Sequence, residues 1–174
     1  MTVGPRLADD IVIRERIPTD DKAIRRLNDD AFGGTYESQL VADLRTEGLS
    51  AIELVSVDGT DVIGHILMST LDVRVGDKCL CSLALAPMSV QPGRQRQGIG
   101  SALVREALRR ARQQGWQAVI VVGHPGYYPR FGFSAALARP LASPFSGDAF
   151  MALELTTGAL KGGAGRVVYP TAFG

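Results

Sequence analysis

The sequence predicts a mixed α/β protein, layered as α+β: flanking helices over one mixed central sheet. Three observations predict it. Residues 51–90 read as three strands parted by the turn pairs Asp58-Gly59 and Gly76-Asp77, an antiparallel meander. Residues 98–114 carry Leu103, Val104, Ala107, Leu108 and Ala111 at helical spacing. Residues 116–122 form an apolar run of strand length, expected to lie buried and parallel to the strand before the helix.

The elements follow in order. Residues 1–10 read as a leader, and 11–14 as a first strand. Pro18-Thr19-Asp20-Asp21 marks a helix start with Thr19 or Asp20 as N-cap, and Ile24, Leu27 and Ala31 continue it. Phe32-Gly33-Gly34 breaks that helix; a second begins near Thr35, carries Leu40, Val41 and Leu44, and ends at Gly48. In the meander the strands are 51–57, 62–75 and 80–90. Pro87 lies in the third, where it cannot donate to a ladder, so a bulge or an end to pairing is expected there. Gly115 stops the main helix, and Arg105, Glu106, Arg109, Arg110 and Arg112 face solvent. Residues 127–133 predict a short helix running into a strand, 141–148 a loop, and 150–155 a last clear strand. Residues 156–174 are a loop-rich tail that leaves lid, dimer arm and edge strand open. The whole is read as one domain, 1–174.

Composition excludes several functions. Nineteen basic and eighteen acidic residues leave a net charge of +1, which disfavours nucleic acid and charged membrane surfaces as partners. No apolar run reaches the ~20 residues of a membrane span, and residues 1–10 lack a signal-peptide core, so a cytoplasmic protein is expected. Cys79 and Cys81 are the only cysteines; spaced i, i+2, they suit neither a disulfide nor a complete metal site and read as small buried strand residues.

The chemistry concentrates in Gln95-Arg96-Gln97-Gly98-Ile99-Gly100-Ser101, a polar glycine loop that runs straight into the helix. The first helical turn has N–H groups without intrahelical partners and carries the positive end of the macrodipole. Glycines there let a phosphate approach the backbone. Two phosphate ligands fail on spacing. A nucleotide P-loop needs Lys-Ser/Thr after its second glycine, whereas Gly100 is followed by Ser101-Ala102. A dinucleotide fingerprint needs a third glycine and a parallel βαβ start, and both are missing.

The combination of Gln95-x-x-Gly98-x-Gly100, a preceding strand ending in Met88-Ser89-Val90, and a following Tyr128-x-x-x-Gly132-Phe133 resembles the GNAT superfamily of acyl-CoA-dependent N-acetyltransferases. The resemblance covers 11–155. The run Gly123-His124-Pro125-Gly126-Tyr127-Tyr128-Pro129-Arg130-Phe131-Gly132-Phe133 is similar to its YhbS-like predicted subgroup. It implies a GNAT fold with a splayed parallel strand pair at the cofactor site. It also implies acetyl-CoA as co-substrate without a metal, and direct acetyl transfer from the thioester to a primary amine of a small molecule or protein. Gln95, Arg96, Gln97, Gly98, Gly100 and Ser101 would then cradle the pyrophosphate, and Met88, Ser89 and Val90 would pair with pantetheine. Arg94 could also neutralise phosphate. Tyr128 matches the general-acid tyrosine, with Tyr127 as the fallback.

The base is not apparent: residues 80–90 hold no carboxylate. His65, His124 and Glu37 are candidates, beside a water chain. Acceptor contacts are expected from residues 32–37 and 141–148, with Phe32 and Glu37 the candidate substrate residues and Tyr36 and Phe145 completing an apolar wall. The missing carboxylate also keeps open a non-catalytic acyl-CoA-binding or regulatory module. Monomer and homodimer both remain open.

Overall fold

A computed structural model describes Ala8 and residues 10–174. The expected leader, residues 1–10, therefore lies largely outside the described residues. The elements are β1 (Ile11–Glu15), α1 (Asp21–Phe32), α2 (Tyr36–Thr46), β2 (Ser50–Asp58), β3 (Asp61–Val75), β4 (Lys78–Val90) and α3 (Ile99–Gln113). They continue with β5 (Ala118–Val122), α4 (Ala135–Ala138), β6 (Leu141–Ala142), β7 (Phe150–Glu154) and β8 (Gly165–Val168). The eight strands belong to one mixed sheet of order β1-β2-β3-β4-β5-β7, with β8 pairing β3 and β6. The chain divides into two compact units, and β3 and β4 run through both.

The first unit takes in the chain up to Leu67 together with Pro87–Arg109. β1 and β2 pair antiparallel from Ile11↔Asp58 to Glu15↔Leu54. Alternation along β2 sends Val55 and Val57 to the core, where Ile24 of α1 packs against them. Asp20 is the N-cap residue of α1, one of the two expected, but its side chain makes no capping bond to the helix. Residues 18–20 form a 3-10 turn first. The Asp20 carboxylate accepts from the Ile17 N–H at 2.9 Å and from Arg14 at 2.8 and 3.0 Å. α1 ends at Gly33, whose φ of 71° is the left-handed stop the sequence signals.

Gly64 of β3 sets where α3 begins. A Cβ at Gly64 would strike Ser56 Oγ and come within 2.9 Å of Leu103 and 3.1 Å of Ile99. The first turns of α3 thus rest on bare backbone, and Ile99 and Leu103 are fully buried there.

The second unit comprises Met68–Ala86 and Arg110–Gly174. β4 and β5 pair in parallel from Ser82↔Ala118 to Leu85↔Val121. That ladder ends two residues before Pro87, while β4 itself continues to Val90. Pairing therefore stops next to the proline, one of the two outcomes expected there. β5 and β7 pair antiparallel, from Ala118↔Glu154 to Val122↔Phe150. The core gathers Leu71, Val73, Ile120, Phe150, Ala152 and Val167.

Two expectations change here, and one that was left open is decided. Residues 131–133 do not run into a strand: a 3-10 turn (Tyr128–Phe131) ends at Gly132, whose φ is 100°, and α4 follows. Ser134 makes a single bridge to Ala152 and caps α4, accepting the Leu137 N–H at 3.2 Å. Cys79 and Cys81 are exposed rather than buried, because strand alternation turns Leu80 and Ser82 inward and the two cysteines outward. The tail contributes a strand: β8 pairs β3 antiparallel from Asp72↔Val168 to Val75↔Gly165, and β6 in parallel.

Candidate active site

In the first unit the glycine loop has an irregular backbone. Arg96 and Gly98 both adopt left-handed conformations, φ 63° and 82°. Two such residues in three positions form the kind of turn in which successive N–H groups converge on an anion. Helix α3 opens at once, with the Ala102 N–H bonded to Gly98 O at 3.0 Å. Gln95, Arg96 and Gln97 are exposed, and Gly98, Gly100 and Ser101 half-buried. Gln95 is tied back to β4, its Nε2 donating to Val90 O at 3.2 Å. Arg94 faces Asp58 instead, at 2.9 Å, so its charge is already partnered.

Met88, Ser89 and Val90 are the last residues of β4. Just past them, the Gln91 N–H donates to Ile63 O at 2.8 Å, so β3 still borders this end of the strand. Beyond Leu85 the β5 ladder has stopped. This stretch is thus bordered by β3 on one edge.

The base candidates separate. His65 is wholly buried; its Nε2 lies 2.8 Å from Glu53 and its Nδ1 3.3 Å from Asn28. Burial keeps the imidazole below its ordinary pKa against the pull of the Glu53 carboxylate. Burial would also raise the Glu53 carboxyl, but hydrogen bonds from His65 and Arg45 prevail and hold it down from 4.5 to about 2. His65 is therefore a neutral, fully engaged group. Glu37 is half-buried in the first turn of α2. Phe32 and Tyr36 are exposed, 45% and 56%.

Sequence reasoning missed Glu53 and Asn28. The available signals were an acid inside the apolar run Ala51-Ile52-Glu53-Leu54-Val55 and an asparagine on the Ile24–Leu27 face of α1.

In the second unit Tyr128 is 8% exposed, and its ring lies on Gly123, where a Cβ would overlap the ring edge. Tyr127 and Phe133 meet the same ring edge-on, at 5.1 and 5.7 Å. Burial, with Tyr127 alongside, pushes the phenol far above its ordinary pKa, so it stays protonated. His124 is exposed, and its carbonyl accepts the Tyr127 and Tyr128 N–H groups at 3.0 and 3.3 Å. Phe145 lines a cavity of about 290 Å³ with Arg139, Ser143, Asp148 and Phe150. The Gly123 N–H donates to Ala149 O at 3.0 Å, joining the seat of Tyr128 to the rim of that cavity. Among the described residues no group of three or more His, Cys, Asp or Glu is placed to hold a metal ion. Nor is any helix there long and apolar enough to cross a membrane.

Comparison with known proteins agrees with this layout. Residues 13–136 match the acetyltransferase (GNAT) domain. The chain is 35% identical over 162 residues to the Escherichia coli K12 protein called uncharacterized N-acetyltransferase YhbS, covering 91% of this chain and 96% of that one. The crystal structure of E. coli YhbS in complex with CoA superposes with a TM-score of 0.86 at 34% identity, over 99% and 96% of the two chains. A GNAT acetyltransferase of Brucella melitensis in complex with acetyl-CoA gives 0.78 at 31% identity, over 94% and 98%. Fold and matches define an N-acetyltransferase. The chain belongs to the GNAT family.

Proposed function

We propose that the protein transfers the acetyl group of acetyl-CoA directly to a primary amine of a small molecule or protein. The observation that carries this is the left-handed Arg96/Gly98 loop at the head of α3, following a strand that outlasts its parallel partner. Gln95, Arg96, Gln97, Gly98, Gly100 and Ser101 hold the pyrophosphate through backbone N–H groups and the Arg96 charge. Met88, Ser89 and Val90 offer their free edge to the pantetheine amides. The relatives' complexes with CoA and acetyl-CoA support acetyl-CoA as the co-substrate.

In the transfer the amine lone pair forms a C–N bond to the thioester carbonyl carbon. Backbone N–H groups at the end of β4 stabilise the oxyanion. The C–S bond breaks as the oxyanion collapses. The thiolate takes the Tyr128 phenolic proton, the new ammonium loses one proton to solvent, and solvent returns one to the Tyr128 phenolate. Raised by burial, Tyr128 is a protonated donor across the working range. His65 takes no part as a base. Phe32 and Glu37 in the first unit, and the Phe145 cavity in the second, are proposed acceptor contacts. One domain over residues 1–174 and a cytoplasmic setting complete the reading.

The test is thiol release from acetyl-CoA against an amine panel, wild type beside Tyr128→Phe. Amine-dependent turnover is expected, with kcat reduced about 10²-fold in the variant. Equal kcat in the two would remove Tyr128 from the mechanism. Acetyl-CoA binding with no turnover for any amine would favour a non-catalytic module.

A further inference from the structure

Four buried polar side chains of the first unit form a single chain of hydrogen bonds. Glu53 accepts from His65 Nε2 at 2.8 Å, and His65 Nδ1 lies 3.3 Å from Asn28 Nδ2. Asn28 Nδ2 also donates to Ile24 O at 3.1 Å, and Asn28 Oδ1 accepts from Ser89 Oγ at 2.9 Å. His65 and Asn28 have no exposed surface, and Ser89 is 4% exposed. The far end is anchored by Arg45, whose Nε donates to Glu53 at 3.1 Å while its Nη1 faces Asp21 at 3.4 Å.

One charge sets the direction of the whole chain. An ionised Glu53 can only accept, so His65 must carry its hydrogen on Nε2. A neutral ring then presents a lone pair at Nδ1, which only the Asn28 NH₂ can satisfy. That fixes the amide, turns Oδ1 toward Ser89, and makes the Ser89 hydroxyl the donor. The chain does not conduct protons, because an amide between imidazole and hydroxyl neither takes nor releases one in this pH range. It runs from α2 and β2 through β3 and α1 to the last turn-free residues of β4.

Its end point is informative. Past Leu85, β4 has no β5 ladder, so residues 88–90 lack the lateral restraint that fixes the rest of the strand. A buried polar chain is a poor source of net stability compared with apolar packing. It is a good source of orientation.

We propose that Glu53, His65 and Asn28 are positioning residues that act through Ser89. By locking its side chain they hold the backbone N–H groups of residues 88–90 in the geometry that polarises the thioester carbonyl. The inference rests on the reading of that stretch as the acyl-CoA strand. The relay thus ties down, through a side chain, a stretch that β5 does not pair.

Isotope-edited infrared difference spectra with acetyl-CoA ¹³C-labelled at the carbonyl test it, on wild type, Ser89→Ala, Asn28→Leu and the double variant. The bound carbonyl stretch should lie below its free value in wild type and move back toward it in each variant. Because the residues act in series, the double variant should move no further than either single one. With an amine acceptor, kcat should fall on the order of 10-fold while the KM for acetyl-CoA stays within about threefold. That is less than the ~10²–10³ of an oxyanion donor removed outright, since here it is only displaced. Ser89→Ala is the milder change and keeps the test open if Asn28→Leu folds poorly. An unshifted stretch in wild type, an unchanged stretch in a folded variant, or additive effects would each overturn the inference. Failure of wild type to bind acetyl-CoA would instead sink the functional reading beneath it.

Discussion

Replacing Glu53 by Gln isolates the charge that drives this network. Glutamine has nearly the shape of the protonated acid, so the variant approximates wild type with that proton permanently on. The folded carboxyl is held at about 2, against 4.5 when unperturbed. At about 1.4 kcal/mol per pKa unit, ionised Glu53 contributes about 3 kcal/mol to stability at neutral pH. The sign follows from the depressed value. Above 4.5 the contribution is fully present, and it is lost as pH falls from 4.5 through 2. His65 acts in the same sense: its folded pKa lies below the unfolded 6.5, so the unfolded chain binds the extra proton and stability begins to drop below that value. Urea melts of wild type and Glu53→Gln between pH 7 and 3 are the assay. The gap should be about 3 kcal/mol at pH 7 and about half that by pH 3, on its way to closing near pH 2. At pH 7 it corresponds to a fall in Tm of about 6–12 °C for a chain of this size. Parallel stability curves, separated by a constant amount at every pH, would refute the assignment of a buried, charge-bearing Glu53.

Two further outcomes follow from the backbone. Gly123→Ala should destabilise by about 1–3 kcal/mol and lower kcat, because the new Cβ displaces the Tyr128 ring. The stability loss should vanish in a Tyr128→Ala background, and its persistence there would show that the ring is not the obstacle. Arg96→Gly removes about 1 kcal/mol of left-handed strain at φ 63°, which the added entropy of glycine roughly offsets. Tm should therefore hold while the Kd for acetyl-CoA rises several-fold, most at low salt. A large drop in Tm would contradict the strained conformation.

Much of the scaffold could be read from the chain because its signals are local. The glycine loop and α3 occupy adjacent residues, and helical spacing of Leu103, Val104, Ala107 and Leu108 identifies the helix without tertiary context. Pro87 marked the end of the β4–β5 ladder through its missing N–H alone, which ends at Leu85 in the fold. Cys79 and Cys81 were misjudged because alternation tells which residues share a face but not which face is covered. α4 was missed because four residues hold too little periodicity to show, and Ser134 as its cap is recognisable only once Gly132 has turned the chain.

The site divides along the same line. By itself the sequence determined the order of the longer elements, the glycine loop at residues 95–101, the strand end at Met88, Ser89 and Val90, and the turn that carries Tyr128, since each rests on residues close together in the chain. Only the tertiary structure decided what His65 is for. Its partners Glu53 and Asn28, and Ser89 bonded in turn to Asn28, lie on two other strands and a helix, far apart in sequence. No pattern of spacing announces such a meeting, because the register that brings these side chains together is set by packing α1 and α2 against the sheet. A histidine that sequence alone left open as a base becomes, once buried between a carboxylate and an amide, a fixed hydrogen-bonding link whose proton goes nowhere.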